Sequence, residues 1–176
     1  MSHKWKKIYF CLAILIMILI FISSSMTYQQ QTVTPELGHL NLNWLHRWLD
    51  PVEINYGGRI YSVKTVGFTE MIEFILRKIA HFSSNFLLGL FAYWGLTNWV
   101  PNKWFRAILI WLSCTGYAAT DEFHQLLTGD RTPMIQDVML DSIGVLCGVI
   151  LASIIVRILE RRAEKKQHHY SVPKSR

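Results

Sequence analysis

Four apolar runs, at roughly residues 8–23, 79–99, 104–127 and 135–159, constrain this chain more than any other feature. Each is near the ~20 residues a helix needs to cross hydrocarbon, where every backbone polar group must be satisfied within the segment. The expected fold is therefore an all-α membrane protein with four transmembrane helices. With 51% hydrophobic residues and seven tryptophans in 176 residues, little remains for a separate soluble core. A single integral membrane domain over residues 1–176 is the expected organisation.

The net charge of +6 matters less than where the cations lie. Lys4, Lys6 and Lys7 precede the first run. Lys103 and Arg106 separate the second from the third, and Arg157, Arg161, Arg162, Lys165 and Lys166 follow the fourth. Alternating helices put all three clusters on one side, so the positive-inside rule predicts a multi-pass protein of the cell membrane with both termini cytoplasmic. Residues 26–70 and the loop 128–134 then lie outside. Cations beside a span normally touch anionic lipid, so the bilayer is the expected partner and nucleic acid is not. The opening MSHKWKKIYFCLAILIMILIFISSS has the parts of a secretory signal, but its run fills a span and is read as an uncleaved anchor. Cys11, Cys114 and Cys147 fit no metal or redox spacing and read as small packing residues.

The outer segment has structure of its own. Val52–Tyr56 and Arg59–Val63 are rich in β-branched and aromatic residues and flank Gly57-Gly58, a two-residue hairpin signal because both turn positions need positive φ. Upstream, Leu42, Leu45 and Leu49 with Trp44 and Trp48 suggest a short amphipathic helix at the interface, ended by Asp50-Pro51. Thr69 reads as an N-cap, followed by Glu70 and Glu73 in the first turn.

Ionisable groups within spans are costly, and here they recur at helical spacing. Asp137, Asp141, Gly144 and Gly148 share one face of the fourth run, and the Gly-x-x-x-Gly step lets another backbone approach closely. His81, Asn85 and Gly89 align in the second run, with Arg77 and Lys78 a turn outward. Asp121, Glu122 and Gln125 close the third. At ~1.5 Å rise per residue these groups reach one level near the outer ends. The expected pairs are Arg77 with Glu122 or Asp141, and His81 with Asp121, while His124 points away and snorkels. Arg131, in the loop above, has the planar fork suited to phosphate or carboxylate. Hard cations favour carboxylates such as Asp121, Glu122, Asp137 and Asp141, but nearby arginines compete for those oxygens, so neither metal nor cofactor is expected.

The same residues carry a resemblance. Arg77-Lys78-x-Ala80-His81-Phe82, Leu88-Gly89, Asp121-Glu122-x-x-Gln125, Gly129-x-Arg131, Asp137-Val138 and Asp141-x-x-Gly144-x-x-x-Gly148 resemble the VanZ-like family of small bacterial membrane proteins in order and spacing. Phe21-Ile22-Ser23-Ser24-Ser25 with Gln29–Gln31 looks like the outer end of that family's first helix. Asn85 departs from the pattern, standing where an aromatic residue, usually tyrosine, is common. The resemblance implies a role at the Gram-positive cell envelope, where the family's namesake raises tolerance to the glycopeptide teicoplanin; it brings no agreed reaction.

Three functions follow as expectations. The first is a binding protein whose outer-leaflet pocket holds the anionic headgroup of a cell-wall or lipid-linked glycan intermediate. Its ligand-binding set is Arg77, Lys78, His81, Asn85, Asp121, Glu122, Gln125, Arg131, Asp137 and Asp141. The second is an intramembrane hydrolase or transferase on such a substrate, with His81, Asp121, Glu122 and Asp141 as candidate catalytic groups. The third is a structural or partner-binding membrane protein in which the buried charges only fix helix register.

Overall fold

The structure, a computed structural model, describes residues 3–27, 30, 42–127 and 134–171, with side chains up to residue 165. The chain is mostly helical. A first helix, α1 (His3–Ser24), is followed by a short α2 (Asn43–Leu49) and a hairpin of β1 (Glu53–Tyr56) and β2 (Arg59–Ser62). One turn, α3 (Val63–Val66), leads into α4 (Phe68–Gly95), and after a 3-10 turn at Leu96–Asn98 come α5 (Lys103–Leu127) and α6 (Ile135–Ser171).

Local chemistry accounts for the boundaries. Gly57 and Gly58 hold φ of 61° and 79°, and Tyr56 pairs with Arg59, so the two-residue hairpin forms as its glycines demand. Alternation then puts Ile54, Tyr56, Arg59 and Tyr61 on one face. Ser62 and Thr65 form a reciprocal capping box on α3. Gly67, at φ 88°, turns the chain sharply into α4. The start of α4 differs from expectation. It begins at Phe68 behind Gly67, so Thr69 lies within the first turn and caps nothing. Asn102 caps α5, its side-chain oxygen accepting the N–H groups of Trp104 and Phe105 at 3.0 Å.

α4 and α6 make the closest packing in the molecule. A Cβ on Gly148 would stand 2.1 Å from the Phe86 carbonyl oxygen, and one on Gly144 would stand 2.7 Å from that of Phe82. From the other side, a Cβ on Gly89 would meet the Val145 carbonyl oxygen at 2.5 Å. The glycines thus let backbone meet backbone. α5 lies along α6, with Trp111 Nε1 and Thr115 Oγ1 both donating to Ser142 Oγ at 3.0 and 2.9 Å. α1 bridges α4 and α5. Leu88, Tyr93, Ile110, Val145, Val149 and Ala152 fill the centre.

Two helices are long and apolar enough to cross a membrane, His3–Ser24 and the Ile135–Lys165 part of α6. The four expected spans are thus matched by four long helices, of which only two have the apolarity. α4 and α5 fall short because polar groups dilute their runs: His81, Ser83, Ser84 and Asn85 in α4, and Arg106, Asp121, Glu122 and Gln125 in α5. Arg106 shows how such a residue is housed. It is 1% exposed, donates to the Val100 carbonyl at 2.8 Å and lies 4.3 Å over the Tyr93 ring.

Gly148→Ala should lower stability in detergent by about 1–3 kcal/mol, since the new methyl must push one helix off the other. Gly116→Ala, which meets nothing within 4 Å, should be neutral or stabilise by up to ~1 kcal/mol through helix propensity. Thermal unfolding of both variants checks the contrast; equal melting points would remove the close-packing account.

Candidate functional site

At the hairpin end the four long helices enclose a cavity of about 710 Å³. Its walls come from α1 (Ile16, Leu19, Ile20, Ser23, Ser24), the hairpin (Arg59, Tyr61), α4 from Glu70 to Leu87, and Asp121, Glu122 and Gln125 of α5. Met134 and Asp137 at the start of α6 complete it. From Arg77 to Asn85 along α4 is about 12 Å at the helical rise, so the polar groups descend rather than form a ring.

Each pairing is set by how the helices meet. Gly144 and Gly148 fix α6 against α4, which brings Asp141 and Asp137 opposite His81 and Lys78. His81 Nδ1 lies 3.3 Å from Asp141 Oδ2, and Lys78 forms an ion pair with Asp137. Arg77 pairs with Glu73 one turn earlier on its own helix at 2.6 Å. The expected partners were different: Arg77 meets neither Glu122 nor Asp141 among the described contacts, and His81 takes Asp141 in place of Asp121. Asp121 instead accepts from Gln125 Nε2 at 3.0 Å, and Glu122 Oε1 accepts the backbone N–H of Met134 at 2.7 Å. Glu122 thereby ties the end of α5 to the entry of α6. Arg131 lies outside the described residues.

His124 also differs from expectation. Its Nδ1 is 3.0 Å from Ser24 Oγ, its ring stacks on Phe21 at 4.9 Å, and so it joins α5 to α1. Ser24 also donates to the Asp121 carbonyl at 3.4 Å. Ser24 lines the cavity and His124 does not, and among the described residues no carboxyl orients the imidazole, as a nucleophilic site would require.

Among the described residues, three buried acceptors in this region have no hydrogen-bond partner: Asn85 Oδ1, Asp121 Oδ1 and Asp141 Oδ1. Their residues are 2%, 6% and 4% exposed. Orphan acceptors at such burial cost about 1–3 kcal/mol each, more where charged, until a donor arrives. The charge balance agrees. Among the described residues, Arg59, Arg77 and Lys78 face Glu70, Glu73, Asp121, Glu122, Asp137 and Asp141, with His81 between, so carboxyls outnumber fixed cations there. Arg77 and Lys78 are thus each matched by a carboxylate, Glu73 and Asp137. No group of three or more His, Cys, Asp or Glu residues is arranged to hold a metal ion among the described residues.

Sequence reading missed the hairpin's part. Tyr61 stacks on Phe74 at 4.0 Å, Tyr56 meets the same ring edge-on at 5.5 Å, and Tyr56 donates to Asp137. Lys78 Nζ lies 4.4 Å over the Tyr56 ring. The period-2 face of the hairpin held this signal, but nothing in the sequence says which helix that face covers.

The chain is mostly helical, and two of its helices are long and apolar enough to cross a membrane. The family model described as VanZ/LLP1 matches residues 9–156, and the chain belongs to that family. No curated protein and no solved structure matches the chain.

Burial and the Asp137 carboxylate push the Tyr56 phenol well above its ordinary value of 10.0. Because the folded state holds this proton more tightly, the stability it contributes is complete below that value and is lost as pH rises above it. Ultraviolet titration should show one tyrosine ionising late in the wild type and not in Tyr56→Phe. Tyr56→Phe should also flatten the alkaline loss of stability.

Proposed function

We propose that this protein spans the membrane four times and uses the cavity, in the outer leaflet, to bind a cell-envelope intermediate, thereby modulating susceptibility to glycopeptides such as teicoplanin. Both termini are cytoplasmic in this reading, and the hairpin faces outward. The cation clusters flanking the helices support that orientation. So does the placement of the polar groups of α4 and α5, whose desolvation is tolerable because they face the bundle interior.

The observation that carries the binding reading is the set of orphan acceptors, Asn85 Oδ1 and Asp121 Oδ1 in the cavity wall and Asp141 Oδ1 behind His81. They suit the hydroxyls of a glycan headgroup. Arg59, Arg77 and Lys78 above them suit a phosphate, though a ligand must share Arg77 and Lys78 with Glu73 and Asp137. Buried ion pairs alone make a poor case for function. Unfilled acceptors on three helices make a better one, since a packing device has no use for them.

One further observation favours an intramembrane hydrolase or transferase as the second reading. His81 lines the cavity with Nδ1 against Asp141, which leaves Nε2 to take or give a proton at a bound phosphate ester. Asp141 would steady the imidazolium so formed. Release of phosphate from a lipid-linked substrate by purified protein, abolished in His81→Gln, separates this from binding alone.

Two measurements test the main reading. Alkaline phosphatase fused after Lys166 should be inactive, and fused after Gly58 it should be active; the reverse pattern removes the topology. In a Gram-positive host, wild type should raise the inhibitory teicoplanin concentration, while His81→Gln and Asp121→Asn at equal membrane abundance return it to the vector value. Protection by wild type and both variants alike would make the cavity a packing device.

A further inference from the structure

The path of α1 says how a ligand reaches the cavity. In its first half α1 lies on α4: Lys6 bonds Asn98 at 2.8 Å, the Tyr9 ring lies 5.9 Å from Phe91 and 5.0 Å from Trp94, and Phe10 sits against Gly95. In its second half it lies on α5. Tyr117 donates to the Met17 carbonyl at 2.6 Å, Phe21 stacks on His124, and Ser24 bonds the same ring. α1 therefore crosses from one helix to the other and parts from α4 at the hairpin end.

The cavity occupies that parting. One edge is Ile16, Leu19 and Ser23, the other Ala80, Ser84 and Leu87, at i, i+4 and i+7 of α4. Leu19 is 54% exposed and Leu87 40%, so the strip faces outward between the helices rather than into a closed core. Charged groups thus line the cavity's inner and upper wall, while the strip between α1 and α4 is aliphatic apart from the hydroxyls of Ser23 and Ser84.

We infer that the ligand is a phosphate-ester lipid that enters from the bilayer, its headgroup among Arg59, His81, Asn85 and Asp121 and its hydrocarbon chain leaving between α1 and α4 past Leu19 and Leu87. This rests on the binding reading above and goes beyond it by excluding a water-soluble headgroup as the native ligand. Ile16, Ile20 and Phe74 line the cavity beside its charged groups, so a chainless ligand would leave that apolar wall uncovered, whereas a chain covers it and continues past Leu19 and Leu87 into lipid. The cavity's size lies within the ~300–1,000 Å³ usual for ligand sites and suits a headgroup with only the first part of a chain. The remainder stays in the membrane.

The test uses full-length protein in nanodiscs and a polyisoprenyl phosphate with a diazirine near the headgroup end of its chain. Light should place the label on α1 between Ile16 and Ser23 and on α4 between Ala80 and Leu87. Unlabelled polyisoprenyl phosphate should compete, and glycerol phosphate should not. Joint Leu19→Trp and Leu87→Trp substitution should reduce labelling about tenfold, while Leu112→Trp, at another exposed helical position, leaves it unchanged. If phosphatidic acid competes equally, the chain-bearing phosphate stands and isoprenoid preference is absent. Competition by glycerol phosphate as strong as by the lipid, with labelling indifferent to the tryptophan pair, overturns sideways entry but leaves the binding site standing. Label spread evenly over lipid-facing helices, with no competition and no loss in Asp121→Asn, overturns both.

Discussion

The contact between the backbones of α4 and α6 is what the rest of the arrangement depends on. Gly89, Gly144 and Gly148 remove the side chains that would hold two helices apart, so Phe82, Phe86 and Leu90 on one axis approach Val145 and its neighbours on the other. Such contacts are short-ranged, and their sum is sensitive to a displacement of a few tenths of an ångström. They also fix rotation. Once α6 is seated in this register, Asp141 must face His81 and Asp137 must face Lys78, because each acid lies one or two turns before the first glycine on the same face. An apolar contact thus decides the polar chemistry.

That chemistry is unbalanced in a consistent way. Charged side chains at the hairpin end are largely matched: Arg77 with Glu73, Lys78 with Asp137, His81 with Asp141, and Glu122 with the Met134 amide. Breaking such pairs is costly, so they hold the helices in one register. What is left over among the described residues is buried acceptors on α4, α5 and α6. The hairpin participates by laying Tyr56 and Tyr61 on Phe74, so that Arg59 and Tyr61 join the cavity wall.

The four long helices divide the work. α1 and α6 carry the apolarity, and α4 and α5 carry the polar groups that disqualify them as plain spans. Helices of the second kind need neighbours on several sides, and α1 supplies one by crossing from α4 to α5. Arg106 at the opposite end follows the same logic, being held between the Val100 carbonyl and the Tyr93 ring. Polar residues therefore appear where another helix or loop covers them.

Much of this was legible in the chain itself. Gly57-Gly58 specified the hairpin because no other residue pair takes two positive φ values so cheaply. The spacing of Asp137, Asp141, Gly144 and Gly148 specified a shared face and a close neighbour, since 3.6 residues per turn is a local property. The family resemblance rested on those same residues and is shown by the match over 9–156. The sequence could not say which helix meets which. Whether His81 meets Asp121 or Asp141, and whether His124 faces lipid or Ser24, depends on relative helix rotation, which only packing fixes. The crossing of α1 was equally unreadable, because a helix apolar on every side carries no marked face. Local periodicity determined the elements and their inward stripes; the meeting of backbones at the glycines, a long-range steric fit, decided the pairs, the orphan acceptors and the opening.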